Sequence, residues 1–275
     1  MKIIVIVIAY KPDINILIEN ISQYIDFVDK VVIWENSKIN DKDAILTINK
    51  HKISFLGDGI NIGIGAAINR ALKKYPNYDY VMTMDQDSIW ESFNDYWTSV
   101  KIRNSCNEIY GPQIIGEKIE SFANQDICVD HVITSGCIMR CSTVERIGCY
   151  NEEYFVDAVD EEICYRAKKY GCQIIQIKDG LLKQRYGKPS IRRFLWKKIA
   201  VIEYSPIRLY YSARNHIDLI KRYQLSMKVI LKLIFKYVVR PFAETLLYHK
   251  DKVDKIHLLF KGIYHGLKGK TGELK

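Results

Sequence analysis

Through the first ninety positions, short runs of β-branched and other apolar residues alternate with longer segments of mixed polarity. Positions 2–9 and 80–84 are apolar almost without interruption, the pattern of strands buried on both faces. Further strands are predicted over 30–35 and 53–56, with helices over 14–25, 41–50 and 63–74. Strands that alternate with crossover helices predict an α/β domain with a mostly parallel central sheet flanked by helices. In such sheets ligands gather beyond the carboxyl ends of the strands. The places to inspect are therefore Tyr10, Glu35 to Ser37, Gly57 to Gly63 and Asp85 to Ser88.

The middle of the chain is less regular. It suggests a strand over 108–111, a strand pair over 127–134, a helix over 159–170 and a last strand over 173–177. Beyond Gly187 the pattern turns helical and basic, with helices expected over 190–202, 207–223 and 225–248. This places a boundary near residue 190, between an α/β body at 1–190, itself divided near residue 105, and a basic helical region at 191–275.

Charge sharpens that division. The net charge of the 275-residue chain is +9. Residues 1–182 carry 19 Lys and Arg against 26 Asp and Glu, and residues 183–275 carry 22 against 6. An acidic body is joined to a strongly basic tail. The 7 cysteines are odd in number and form no C-x-x-C pair, so a disulfide framework or zinc site is not expected and a reducing compartment fits. The apolar opening is followed by Lys11, Pro12 and Asp13 with no small-residue cleavage site, and reads as a strand rather than a leader. No run of about 18 uncharged apolar residues occurs, so no membrane-spanning helix is expected. The 6 histidines form no metal pair, and no nucleophile elbow is present.

Three motifs carry candidate chemistry. In YVMTMDQDS an apolar strand runs into Asp85, Gln86 and Asp87. Two carboxylates at a strand end can share Mg2+ or Mn2+, which neutralises a diphosphate. The plainer alternative is a turn capping a helix that begins near Trp90. In GDGINIGIGAAINRAL, small residues open a helix and allow close packing, and Asn61 is placed to hydrogen-bond a ligand. In YFVDAVDEEICYRA, the carboxylates of Asp157, Asp160, Glu161 and Glu162 crowd a helix start, where the helix dipole and an i,i+4 pair of Glu162 with Arg166 account for much of the pattern. Crowding also raises carboxylate basicity, which makes Asp160 a candidate general base toward a sugar hydroxyl. Just before it in the chain, Thr134, Ser135 and Gly136 are expected to end an apolar strand and to offer backbone amides or form a plain turn.

Taken in order, the segments AYKP, WENS, NIGIGAAIN, MDQDS, ITSG, FVDAVDEEICYRA and YYSARN resemble glycosyltransferase family 2, most closely its bacterial rhamnosyltransferase-like branch. The resemblance covers about residues 1–215. It implies a GT-A fold, the nucleotide-diphospho-sugar transferase type, and an inverting transfer assisted by a divalent cation. By position, Tyr10 and Glu35 would contact the nucleotide base, Asn61 the nucleoside and Asp85 the ribose. Gln86, between the acids, would belong to the nucleotide-sugar site, Asp87 would hold the metal together with Asp85, and Asp160 would be the base, with Glu162 at the second acidic position. Ser135, Gly136, Asp157, Glu162 and Arg166 would lie near the sugar or acceptor. The chain departs from the pattern at Glu35, where Asp is usual, at Val159, and at Gln184 in KQRYG, where this branch often has His.

The resemblance further implies a nucleotide-diphosphate sugar donor, with dTDP-rhamnose as the expectation and a UDP- or GDP-hexose as the alternative. The acceptor would be a lipid-linked saccharide or oligosaccharide in surface polysaccharide synthesis. In the tail, Lys228, Lys232, Lys236 and Arg240 recur every four residues between apolar positions. Such a helix can lie on an anionic membrane, pack on the body or pair in a homodimer. A cytoplasmic protein peripheral to the inner face of the membrane is expected. A nucleic-acid-binding module acting through the tail is the reading from another class; it lacks any recognition motif, and the acidic body would repel a polyanion.

Overall fold

A computed structural model gives the fold, and it describes residues 1–115, 123–184, 190–194, 197–201 and 203–274. Of the KQRYG segment, Arg185, Tyr186 and Gly187 lie outside the described residues. The chain divides into two compact units. The first comprises Met1–Glu152 and Val159–Arg185, and the second Glu153–Ala158 and Tyr186–Lys275.

The first unit contains strands β1 (Ile3–Ala9), β2 (Lys30–Glu35), β3 (Ile53–Leu56), β4 (Tyr80–Asp85), β5 (Ile89–Trp90), β6 (Glu108–Ile115), β7 (Ile127–Cys128), β8 (Cys137–Arg140) and β9 (Gln173–Lys183). Its helices are α1 (Ile14–Ser22), α2 (Lys42–Asn49), α3 (Ile64–Lys74), α4 (Phe93–Arg103), α5 (Cys141–Arg146) and α6 (Val159–Lys169). The strands run in the order β3-β2-β1-β4-β8-β6-β9-β5, with β7 added on β9. The first four are mutually parallel, whereas β8 lies antiparallel to both β4 and β6. The alternating pattern of the first ninety residues therefore folds as expected, and the sheet is mixed beyond β4.

From β1 the chain builds outward through β2 and β3, then returns to place β4 on the other flank of β1. The order reverses at β1 and β4, and their carboxyl ends bound the crevice in which a ligand is expected. Ile8 pairs with Asp85 in register, so the two strand ends are level. Ile3, Val5, Val7, Val31, Ile33, Met82 and Met84 fill one face of the core against Leu17 and Ile21 of α1. The side chain of Asp13 accepts from the N–H groups of Asn15 and Ile16, fixing where α1 starts.

Two local expectations are corrected. The 127–134 pair supplies only the short strand β7. Thr134 to Gly136 forms a turn that precedes β8 instead of ending a strand, because Gly136 takes φ +78°, which strand geometry does not allow.

The second unit opens with a correction too. Where a helix was expected over 190–202, strands β10 (Ser190–Phe194) and β11 (Lys197–Val201) pair antiparallel; Leu195, Trp196 and Ile202 lie outside the described residues. Helices α7 (Pro206–Arg222), α8 (Met227–Ile234), α9 (Arg240–Tyr248) and α10 (Lys252–Leu267) follow. Ser205 and Ser226 cap α7 and α8 through their hydroxyls. Between α8 and α9 the helix continues through one wide turn, Phe235–Val239, in which the Arg240 N–H reaches the Phe235 carbonyl five residues back. Pro241 has no N–H to offer Tyr237 and its ring would press on that carbonyl in an unbroken α-helix, so the wide turn accommodates it. Gly262 and Gly266 let α10 lie against α7: a Cβ there would stand 2.4 Å from the Tyr210 carbonyl oxygen and 2.6 Å from that of Arg214. Among the described residues no helix is long and apolar enough to cross a membrane.

Candidate active site

The carboxyl ends of β1 and β4 are joined by one side chain. Gln86 accepts from the Tyr10 N–H (2.8 Å) and donates to the Tyr10 carbonyl (3.2 Å). This leaves the Tyr10 ring exposed at the mouth of the crevice. Beside it the Lys11 N–H donates to Ser37 Oγ (2.6 Å), which brings in the loop after β2. Gln86, read from sequence as part of the nucleotide-sugar set, thus shapes the turn that carries Tyr10.

Asp85 and Asp87 are half-buried on the same turn. Gln184, at the end of β9, donates from Nε2 to Asp85 Oδ2 at 3.3 Å. Its Oε1 is buried without a hydrogen-bond partner among the described residues. Behind the acids, Ser135 is fully buried and donates to Ser88 Oγ (2.8 Å), while the Asp85 N–H points at Ser135 Oγ (3.4 Å). The Gly136 N–H bonds the Thr83 carbonyl (2.8 Å), and Thr83 Oγ1 donates to the Thr134 carbonyl (2.6 Å). The turn that was to offer amides to a ligand gives the Gly136 amide to β4 and braces the acidic pair from behind. Asn20 on α1 completes the brace by donating to the Ser88 carbonyl and accepting from Tyr24. An Asn inside the apolar stripe formed by Leu17 and Ile21 was the sequence signal for that role.

The loop after β2 is built in the same way. Glu35 is buried; Lys42 engages one carboxylate oxygen and the Ile39 N–H donates to the other (3.3 Å). Asn36, within the stretch Glu35 to Ser37 singled out after β2, accepts from the Ile62 N–H (3.2 Å) and donates to the Gly63 carbonyl (3.4 Å). Asn61 accepts from the Gly63 N–H (3.0 Å), so its carbonyl oxygen shapes the loop ahead of α3. Gly65 has a packing reason: a Cβ there would meet the Asn151 carbonyl oxygen at 2.6 Å.

The acids ahead of and on α6 separate into different settings. Glu162 is buried and held by Arg166 in a two-pronged pair, 3.0 Å and 2.9 Å, while Arg166 also reaches the Ile147 carbonyl. Asp157, in the second unit, accepts from Arg208 at 3.3 Å. Asp160 is half-buried in the first turn, where its Oδ1 accepts from the Glu161 N–H (3.1 Å). Burial pushes the Cys137 thiol well up, with the neighbouring charges of Cys164 and Asp160 adding to it. Cys137 pairs with Thr83 in register.

Among the described residues no three His, Cys, Asp or Glu side chains gather into a closed metal cage. Two carboxylates on one turn, with the unpartnered Gln184 oxygen beside them, fit a hard cation that takes its remaining oxygens from a diphosphate.

Solved structures that share this fold include two nucleotide-sugar-binding proteins. GalNAc-T7, solved with UDP, GalNAc and Mn2+, superposes with a TM-score of 0.65 at 9% identity over 98% of this chain, which spans 56% of that one. Residues 1–349 of S. aureus TarS, solved with UDP-GlcNAc, give 0.56 at 16% identity over 98% of this chain and 82% of that one. The chain has a GT-A fold. Over 302 aligned residues it is also 27% identical to the dTDP-rhamnosyl transferase RfbF of Shigella flexneri, covering 98% of this chain and 97% of that protein. No protein-family model matches. The GT-A assignment and the rhamnosyltransferase-like resemblance read from the motifs both hold, and the likeness extends past residue 215 to nearly the whole chain.

Proposed function

We propose that the protein is an inverting glycosyltransferase. It moves a sugar, L-rhamnose from dTDP-rhamnose, to a hydroxyl of a lipid-linked saccharide or oligosaccharide acceptor in bacterial surface polysaccharide synthesis, working in the cytoplasm at the inner face of the membrane. What carries the transferase reading is the acidic pair at the carboxyl end of β4, beside the turn that Gln86 ties to Tyr10. The rhamnose reading is supported by the full-length likeness to the Shigella enzyme.

In this reading Tyr10, Glu35 and Asn61 border the nucleotide, with the buried Glu35 acting through the loop it holds. Asp85 and Asp87 would hold Mg2+ or Mn2+, which would supply positive charge to the diphosphate. Asp160 takes the proton of the acceptor hydroxyl as its oxygen bonds to the anomeric carbon and the bond to the diphosphate breaks on the opposite face. That single displacement inverts the configuration. Ser135 and Gly136 support the acids from behind. Glu162 and Arg166 fix the start of α6, and Asp157 is held through Arg208.

The test is thermal stabilisation by dTDP, UDP, GDP and CDP, each with and without Mg2+ or Mn2+, on the native protein and on Asp87→Ala. A ligand at 100 times its Kd stabilises by about 2.7 kcal/mol. The expected result is a shift with dTDP only when the cation is present, lost in Asp87→Ala. A shift with UDP or GDP alone would replace the donor, and no shift with any nucleotide would overturn the reading.

A further inference from the structure

The helix from Met227 to Tyr248 leaves an apolar row in water. Met227, Leu231, Phe235 and Val239 are between 46% and 67% exposed. In an unbroken α-helix, steps of four residues creep around the axis by about 40° each. The wide turn at Phe235–Val239 takes up part of that creep, and the row continues to the exposed Leu246. One residue further on from each member of the row stand Lys228, Lys232, Lys236 and Arg240, all exposed. On α10, Val253, Phe260, Tyr264 and Leu267 are exposed as well. The Phe242 ring meets Phe260 edge-on at 5.7 Å, which sets α9 and α10 side by side. Lys236 and Arg240 also line a cavity of about 240 Å³ with Tyr204, Arg208 and the carboxylates Asp157 and Glu244, which pair with Arg208 and Arg240.

An exposed apolar face of this kind needs an occupant. Charge selects it. A second copy docked through the same face would set one row of cations against another, and that repulsion opposes a two-fold pairing. An anionic bilayer satisfies both rows at once: the apolar side chains enter the acyl boundary and the cations meet headgroup phosphates. We propose that the Met227–Tyr248 helix and the exposed edge of α10 dock the protein on an anionic lipid surface, Leu231 and Phe235 inserting while Lys228, Lys232 and Lys236 bind headgroups. The existence of the surface stands on this geometry; its use rests on the reading of a lipid-linked acceptor.

The experiment is co-sedimentation of the full chain with vesicles of phosphatidylcholine alone or mixed with phosphatidylglycerol, alongside sedimentation of the protein without lipid. Binding to the anionic vesicles only, weakened by salt, is expected. Each lysine removed should weaken partitioning about fivefold, so Lys228→Gln with Lys232→Gln loses about twenty-five-fold. Leu231→Ser with Phe235→Ser should abolish insertion, and because both side chains are exposed these variants should keep the native melting temperature. Absence of binding to anionic vesicles, or equal binding by the serine variant, overturns the proposal. So does a dimer of the native protein that the serine variant dissociates, which would make this face a subunit interface. Nucleotide-dependent stabilisation, read on the same variants, should be untouched. Its loss in Asp87→Ala with vesicle binding retained separates failure of the donor site from failure of the docking surface.

Discussion

Asp160 and Glu162, two residues apart in the first turn of α6, should fail in opposite ways when their charge is removed. Glu162 is 4% exposed and Arg166 18%, and two charge-assisted hydrogen bonds join them. Breaking a buried pair from one side costs about 3–5 kcal/mol, because the remaining charge is left desolvated. Arg166 keeps its bond to the Ile147 carbonyl and some access to water, so Glu162→Gln belongs near the lower end, about 3 kcal/mol. For a unit of this size each kcal/mol moves the melting temperature by roughly 2–4 °C, giving a fall of about 6–12 °C. Asp160→Asn removes only a half-exposed acid from a helix start, about 0.5 kcal/mol, yet should cut transfer by about a hundredfold or more through loss of the general base. Calorimetric melts paired with turnover of dTDP-rhamnose decide the matter. A Glu162→Gln protein that melts like the native one but has lost transfer would refute the assignment, as would an Asp160→Asn protein of near-native turnover.

Gly136→Ala should destabilise by about 2 kcal/mol or more in denaturant titration. The new methyl would stand 2.9 Å from both Pro112 and Trp90 on a backbone at φ +78°. A neutral result would mean that the brace behind Asp85 is looser than drawn. Burial pushes His249 and His265 below the ordinary imidazole value, helped by Lys255 at the first and by Lys270, Lys261 and Arg214 at the second. The folded protein then binds fewer protons than the unfolded chain, so the contribution of these residues is complete above about pH 6.5 and is lost as pH falls below it. The melting temperature should drop between pH 7.5 and 5.5, and His249→Gln with His265→Gln should flatten the slope; an unchanged slope in the double variant would exclude these residues as its source.

The parallel half of the sheet was legible because strands buried on both faces are apolar throughout, and the helices between them keep a one-sided stripe. The acidic pair was legible for the same reason, since Asp85 interrupts such a run where the crevice opens. The segment at 190–202 misled because its clustered cations suggest a solvated helix, whereas its β-branched Ile191, Ile199 and Val201 belong to paired strands. The brace of Asn20, Ser88 and Ser135 lay beyond reach, because its members are 47 and 68 positions apart and only the sheet order brings them together. Among the four acids near α6, the i,i+4 spacing pointed to the Glu162–Arg166 pair, which the structure shows, but not to its burial. Partners such as the Ile147 carbonyl come from elsewhere in the chain.

The segment Glu153–Ala158 leads directly into α6, and among the described residues α7 holds it at several points. Asn215 donates to the carbonyls of Val156 (2.7 Å) and Asp157 (2.9 Å), and Arg214 donates to that of Glu153 (3.1 Å). Tyr154 donates to Asp218 (2.8 Å), and the Phe155 ring stacks on Tyr211. During synthesis the sheet can therefore be complete while the six residues ahead of Asp160 still await a helix that the ribosome has not finished. A nascent chain passes through seconds in which the sheet exists while the segment leading into α6 has nothing to hold it. A chain cut short before α7 should keep the folded sheet and leave Glu153–Ala158 open to proteolysis.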